Sequence, residues 1–156
     1  LNRLVKSSLR QDRADAPSDD GLDAMIVFVS PQTRRLVYAG ARLSLLYARG
    51  GEMMELKADR TSLGYKSCNA DYIFANHVVT TEPEMAFYLA TDGITDQVGG
   101  PRRRMFGRQR LTATLQTVQG RPMAEQRAAV LAAVESYQGG EARRDDRTLI
   151  GFRLRG

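Results

Sequence analysis

The run Met85-Ala86-Phe87-Tyr88-Leu89-Ala90-Thr91 is apolar almost throughout and stops directly on Asp92-Gly93. It is too short for a helix of ordinary length and carries no polar alternation, so it reads as a strand buried on both faces. A strand of that kind needs a sheet around it and further layers over it. The rest of the chain supplies them. Leu1, Leu4, Val5 and Leu9 recur at helical spacing opposite Asn2, Arg3 and Lys6, which predicts the last turns of an amphipathic helix. Gln11 to Gly21 is a polar loop rich in Asp, Ala, Pro and Ser. Asp23 to Val29, Arg35 to Ala39, Ser44 to Arg49 and Met53 to Lys57 read as a meander of antiparallel strands, with Gly50-Gly51 as the tightest turn. Tyr72 to Val79 is a further strand. Phe106 to Val118 and Met123 to Tyr137 have helical spacing, the second with Pro122 at its start and Gly139-Gly140 after its end. Thr148 to Leu154 closes the order as a strand. Strands, then two helices, then a strand argue for a single α+β domain over residues 1–156, built on antiparallel sheet.

Composition narrows the chemistry. The 156 residues include one histidine, His77, and one cysteine, Cys68, so an intrachain disulfide and a zinc cluster are both excluded. A Ser-His-Asp triad survives only with His77 as its base, and in an alternating strand His77 reads as structural. Cys68 has no flanking base to activate it. No apolar stretch approaches the roughly 18 residues that a membrane span requires. The formal net charge of +5 raises the question of an anionic partner. The dense run Arg102-Arg103-Arg104 has no interleaved aromatic side chains to stack bases, which favours a solvated or phosphate-attracting loop over a nucleic-acid surface. The chain opens on Leu1, within a helical pattern, and so reads as a piece of something longer.

Two acidic segments stand apart from the scattered surface charge. Asp92 lies at the exit of the buried strand, followed by Gly93, and Asp145-Asp146 lies at the entrance of the closing strand. If those strands are antiparallel neighbours, Asp92 and Asp145 meet at one sheet edge. Two hard oxygen donors there, without soft ligands, suit Mg²⁺ or Mn²⁺. The plainer alternative is that Asp-Gly is a turn and Asp-Asp a solvated strand start.

The segments Phe87 to Asp96, Met105-Phe106-Gly107 with Arg110-Leu111, and Asp145 to Ile150 resemble the C-terminal part of PPM-type metal-dependent protein serine/threonine phosphatases, in particular the bacterial SpoIIE/RsbU-like branch. Leu36 to Ala41 is similar to the strand that in this branch ends in Ala-Gly-His, and Leu63-Gly64-Tyr65 to its Leu-Gly turn. The runs Gly99 to Arg102 and Asp19 to Asp23 resemble phosphatase domains attached to membrane sensor regions, of the SiaA type. The resemblance implies an αββα sandwich of antiparallel sheets flanked by helices. It also implies hydrolysis of a phosphoserine or phosphothreonine by a water on a pair of Mn²⁺ or Mg²⁺ ions, with Asp92 and Asp145 as metal ligands. Gly93, Asp96 and Asp146 would support the metal site, and Arg42 and Arg102 would contact phosphate or substrate. The implied partner is a phosphorylated STAS-like anti-sigma-factor antagonist in a partner-switching pathway. The implied location is the cytoplasm, either free or as the cytoplasmic domain of a membrane-anchored regulator, and a homodimer is compatible with it.

The chain departs from the family pattern in two places. The family's first metal motif, an Asp-Gly-x-Gly-His-Gly-like segment, is absent from these residues and would lie N-terminal to Leu1, so the N-terminal part of the domain is expected to be missing and the chain inactive alone. Ala41 stands where the branch commonly has histidine. Two rival readings follow: a catalytically inactive partner-binding module of the same fold, and a basic nucleic-acid-binding domain.

Overall fold

The structure, a computed structural model, describes residues 1–13, 15, 16 and 18–154. In chain order its elements are α1 (Asn2–Ser8), β1 (Ala24–Ser30), β2 (Arg35–Ala41), β3 (Leu45–Arg49), β4 (Glu52–Leu56), β5 (His77–Thr80), β6 (Ala86–Ala90), α2 (Asp92–Thr95), β7 (Val98–Gly99), β8 (Arg104–Met105), α3 (Gly107–Val118), α4 (Met123–Gln138) and β9 (Leu149–Arg153). They fall into two compact units, one of Leu1–Ser44 with Leu56–Thr80, the other of Leu45–Glu55 with the chain from Thr81 onward.

The first unit is built on an antiparallel sheet in the order β1-β2-β5, with Phe28 opposite Val37 and Val37 opposite Val78. Alternation along β2 turns Leu36 and Tyr38 inward, where both are fully buried. Ile26, Phe28 and Val78 are exposed. The helix α1 reverses the expected amphipathicity: Leu1 and Leu4 are 65% and 69% exposed, whereas Asn2 and Lys6 are buried. Hydrogen bonding decides this. Asn2 Nδ2 donates to the Asn69 carbonyl at 2.7 Å, Asn2 Oδ1 accepts from the Gly64 N–H at 2.9 Å, and Lys6 Nζ donates to the Lys66 carbonyl at 3.0 Å. These bonds join the polar side of α1 to backbone groups of the 64–69 loop. The polar loop expected from Gln11 to Gly21 begins on a buried Gln11 whose amide donates to the Gly64 carbonyl at 3.0 Å; Ala14 and Pro17 of that stretch lie outside the described residues.

The second unit is built on a four-stranded sheet in the order β4-β3-β6-β9. The four strands read as one meander are therefore divided, β1 and β2 in one sheet and β3 and β4 in another. Gly50 and Gly51 at the β3–β4 turn both have positive φ, +58° and +86°. Leu46, Ala48 and Tyr88 on one sheet face pack against Leu111 and Leu115 of α3 and Val130 and Val134 of α4. Phe87 stacks between Tyr47 and Phe152, with ring centroids 5.9 and 5.4 Å away. The strand expected over Tyr72 to Val79 shortens to β5. Ahead of it, Tyr72 and Phe74 meet edge to face at 4.9 Å, and Tyr72 donates to Asp59.

Candidate metal centre

The site lies wholly in the second unit. Strands β6 and β9 pair antiparallel with Ala90 opposite Leu149, so the exit of one and the entrance of the other share an edge. Beyond that last pair the two segments stay joined. The Thr91 N–H donates to the Thr148 carbonyl at 3.1 Å, the Thr91 hydroxyl accepts from the Thr148 N–H at 3.0 Å, and the same hydroxyl donates to the Asp146 carbonyl at 3.3 Å. Thr91 stands at the N-cap of α2 yet makes no side-chain capping bond, because its oxygen is spent across the strands. Asp92 then opens α2, and Gly93 lies against the other segment. A Cβ at Gly93 would fall 2.2 Å from the Asp146 carbonyl oxygen and 3.3 Å from the Asp145 Cβ. Only a residue without a side chain fits there.

The structure thus brings Asp92 and Asp145 to one edge as the antiparallel reading expects. Both are exposed. The Asp92 side chain makes no hydrogen bond or ion pair among the described residues, and Asp145 Oδ1 accepts only the N–H of Asp146, at 2.7 Å. Asp146 points to solvent and pairs with Arg143 at 3.2 Å. Asp96 is exposed, with Oδ1 accepting from the Thr95 hydroxyl at 3.2 Å. The donors are carboxylates alone, a set that Mg²⁺ and Mn²⁺ accept while keeping several waters. Among the described residues no group of three or more His, Cys, Asp and Glu side chains is placed to hold a metal ion. Two carboxylates therefore fit part of a hard-cation site.

Gln97, which lines the exit from the Asp-Gly turn, supports this edge from beneath, held by an arginine that sequence reasoning missed. Arg147, two residues beyond Asp145, turns its guanidinium inward and donates to Gln97 Oε1 at 2.5 Å and to Gln138 Oε1. Gln97 is buried and passes the bond on, through Nε2 to the Ala142 carbonyl at 3.0 Å. One arginine thereby ties together the segment after Asp92, the end of α4 and the approach to β9. Its signal in the sequence is only an arginine placed between Asp146 and the closing strand.

The Gly99-Gly100-Pro101-Arg102 segment forms the tight β7–β8 ribbon and is held to α4. The Gly100 N–H donates to the Tyr137 carbonyl at 2.8 Å, and Arg103 pairs with Glu141 at 2.8 Å. Arg102 itself is exposed at the turn. Arg42 belongs to the first unit, where its Nε lies 3.5 Å from Asp23. His77, on β5, packs its ring against Tyr38 at 5.7 Å.

The family model for Stage II sporulation protein E, SpoIIE, matches residues 1–155. The chain belongs to the SpoIIE family. Among solved structures this SpoIIE-family chain is similar to the SiaA-PP2C domain of Pseudomonas aeruginosa, at 34% identity and a TM-score of 0.82 over 96% of this chain and 58% of that one. It is also similar to the PP2C phosphatase domain of the cell fate determinant SpoIIE from Bacillus subtilis, at 13% identity and a TM-score of 0.70 over 98% of this chain and 43% of that one. A third match is RsbX in complex with magnesium, at 17% identity and a TM-score of 0.56, covering 96% and 60%. These last two show the fold alone. The SpoIIE-family chain thus has the α+β architecture of PP2C phosphatases along nearly its whole length, and spans 58% of the SiaA-PP2C structure. None of the curated protein sequences matches it. Among the described residues no helix is long and apolar enough to cross a membrane.

Proposed function

We propose that this chain is part of a single phosphatase domain that hydrolyses a phosphoserine or phosphothreonine of a small regulatory protein with the help of Mn²⁺ or Mg²⁺. The observation that carries the reading is the β6–β9 edge, where Asp92 and Asp145 stand on touching segments of a SpoIIE-family chain. Asp92 and Asp145 would hold the cation, and Gly93 would let their segments close on each other. Asp96 and Asp146 border the pair and would receive its coordinated waters. A bound divalent cation supplies Lewis acidity toward the phosphoryl oxygens and lowers the pKa of a coordinated water. The chain's own contribution is to fix two carboxylates that make no ion pair among the described residues at an exposed edge, where a phosphorylated side chain has access. Arg42 and Arg102 would bind the phosphate or the partner, since guanidinium matches phosphate oxygens in charge and geometry.

The partner proposed is a STAS-like anti-sigma-factor antagonist in a partner-switching pathway, met in the cytoplasm by a free domain or by the cytoplasmic part of a membrane-anchored regulator. The SpoIIE family model and the likeness to SiaA-PP2C support this choice. Mn²⁺-dependent hydrolysis of a phosphate ester by the full-length protein, compared with Asp92→Ala and Asp145→Ala, tests it. Both variants should lose at least about 100-fold in rate; full activity in both would remove the metal assignment. A second reading, a binding module without hydrolysis, draws on the two-carboxylate limit of the edge. It predicts that the full-length protein binds the phosphorylated partner and turns none of it over.

A further inference from the structure

We infer that the first unit carries an anion site of its own, built around Arg42 and Arg60 and suited to a phosphate monoester. A cavity of about 560 Å³ opens there, lined by Asp23, Arg42, Arg60, Ser62, Tyr65 and Ser67 among others. Its volume lies in the range of small-ligand sites.

The backbone at Arg42 is held in an uncommon state. Its φ is +62°, a left-handed conformation that costs a branched or long side chain free energy unless the surroundings impose it. They do so from two sides: the Arg42 N–H donates to the Asp59 carbonyl at 2.9 Å, and Arg42 bridges to Ala24. The guanidinium is consequently aimed at the cavity while little of its donor capacity is used. Nε reaches Asp23 and Nη1 reaches the Arg60 carbonyl, each only at 3.5 Å, and Nη2 has no partner among the described residues. Arg60 is exposed, and its side chain makes no ion pair or hydrogen bond among the described residues.

Charge and donor count then select the ligand. The two arginines face one lining carboxylate, Asp23. The neighbouring Asp59 is already engaged, one oxygen accepting from the Tyr72 hydroxyl at 2.9 Å and the other from the Ala75 N–H at 2.8 Å. A single carboxylate ligand would be satisfied by one guanidinium fork. Three phosphoryl oxygens instead need both arginines together with the hydroxyls of Ser62 and Ser67, and the remaining space admits the group that bears the phosphate. This assignment gives the phosphate contact proposed for Arg42 a site, and it stands or falls without the metal reading.

The test is an amide-shift titration of the full chain in EDTA, first with inorganic phosphate and then with a phosphoserine peptide. Shifts are expected at Thr61, Ser62, Ser67 and Asn69, with binding weakened about tenfold in Arg60→Gln and in Arg42→Gln, the loss of one charge-assisted bond. Tighter binding of the peptide than of phosphate identifies a protein source for the ligand. Equal binding identifies free phosphate, and either result supports the site. Shifts that persist unchanged in both variants, or that appear only at Arg102 to Arg104, overturn it. Because EDTA removes any cation from Asp92 and Asp145, a failed hydrolytic reading leaves this outcome untouched.

Discussion

Gly93 makes the closeness of the two acidic segments possible. With the Asp146 carbonyl oxygen 2.2 Å from where its Cβ would stand, Gly93→Ala forces the Asp92 and Asp145 segments apart. The expected cost is ~1–3 kcal/mol, measured as a lower urea midpoint. Asp92→Asn and Asp145→Asn should behave differently. Both side chains are exposed, so their stability should stay within about 0.5 kcal/mol of the parent while any cation affinity falls. Arg147→Met strips the buried Gln97 oxygen of its charged donor and should cost about 2–3 kcal/mol, a loss that Arg147→Lys recovers only in part, since an ammonium lacks the planar fork. The aspartates were legible in the sequence because Asp-Gly ends a buried run and Asp-Asp starts a strand. Arg147 was not, because whether an arginine in such a place faces water or two glutamines depends on residues 50 and 9 positions away along the chain.

Tyr88 shows how one element commits its residues. It stands on β6 between α4 and the sheet, 2% exposed, and donates to Gln126 Oε1 at 2.7 Å. Burial, the largest cause, raises its pKa above the usual tyrosine value, partly opposed by Arg153 and by the bond to Gln126. A pKa raised on folding adds stability that is fully present below the unfolded value of about 10 and is lost as pH rises through the folded value. Denaturant midpoints should therefore fall above about pH 10, and Tyr88→Phe should flatten that fall. The strand itself was legible from its apolar run, and α3 and α4 from their 3.6-residue spacing. The burial of α1 was not. Its leucine spacing is a sound helical signal, but the orientation is decided by the carbonyl and N–H groups of the 64–69 loop, which local periodicity does not register.

At the scale of the whole molecule, the positive charge was the broadest clue and the least specific. Four of its arginines are held in particular contacts: Arg147 beneath the carboxylate edge, Arg103 on Glu141, Arg49 on Glu82 and Arg108 on Glu55. The pairing of β6 with β9 was readable as a condition on Asp92 and Asp145. The division of the first four strands between two sheets was not, because alternation fixes which face a residue takes and not which strand it joins. The central claim is that Asp92 and Asp145 jointly hold a hard divalent cation. Calorimetric titration of the full chain with Mn²⁺ tests it most directly, run beside Asp92→Asn and Asp145→Asn. Saturable binding weakened about tenfold or more in each variant is the predicted result; binding that is absent from the parent, or unchanged in both variants, would contradict it.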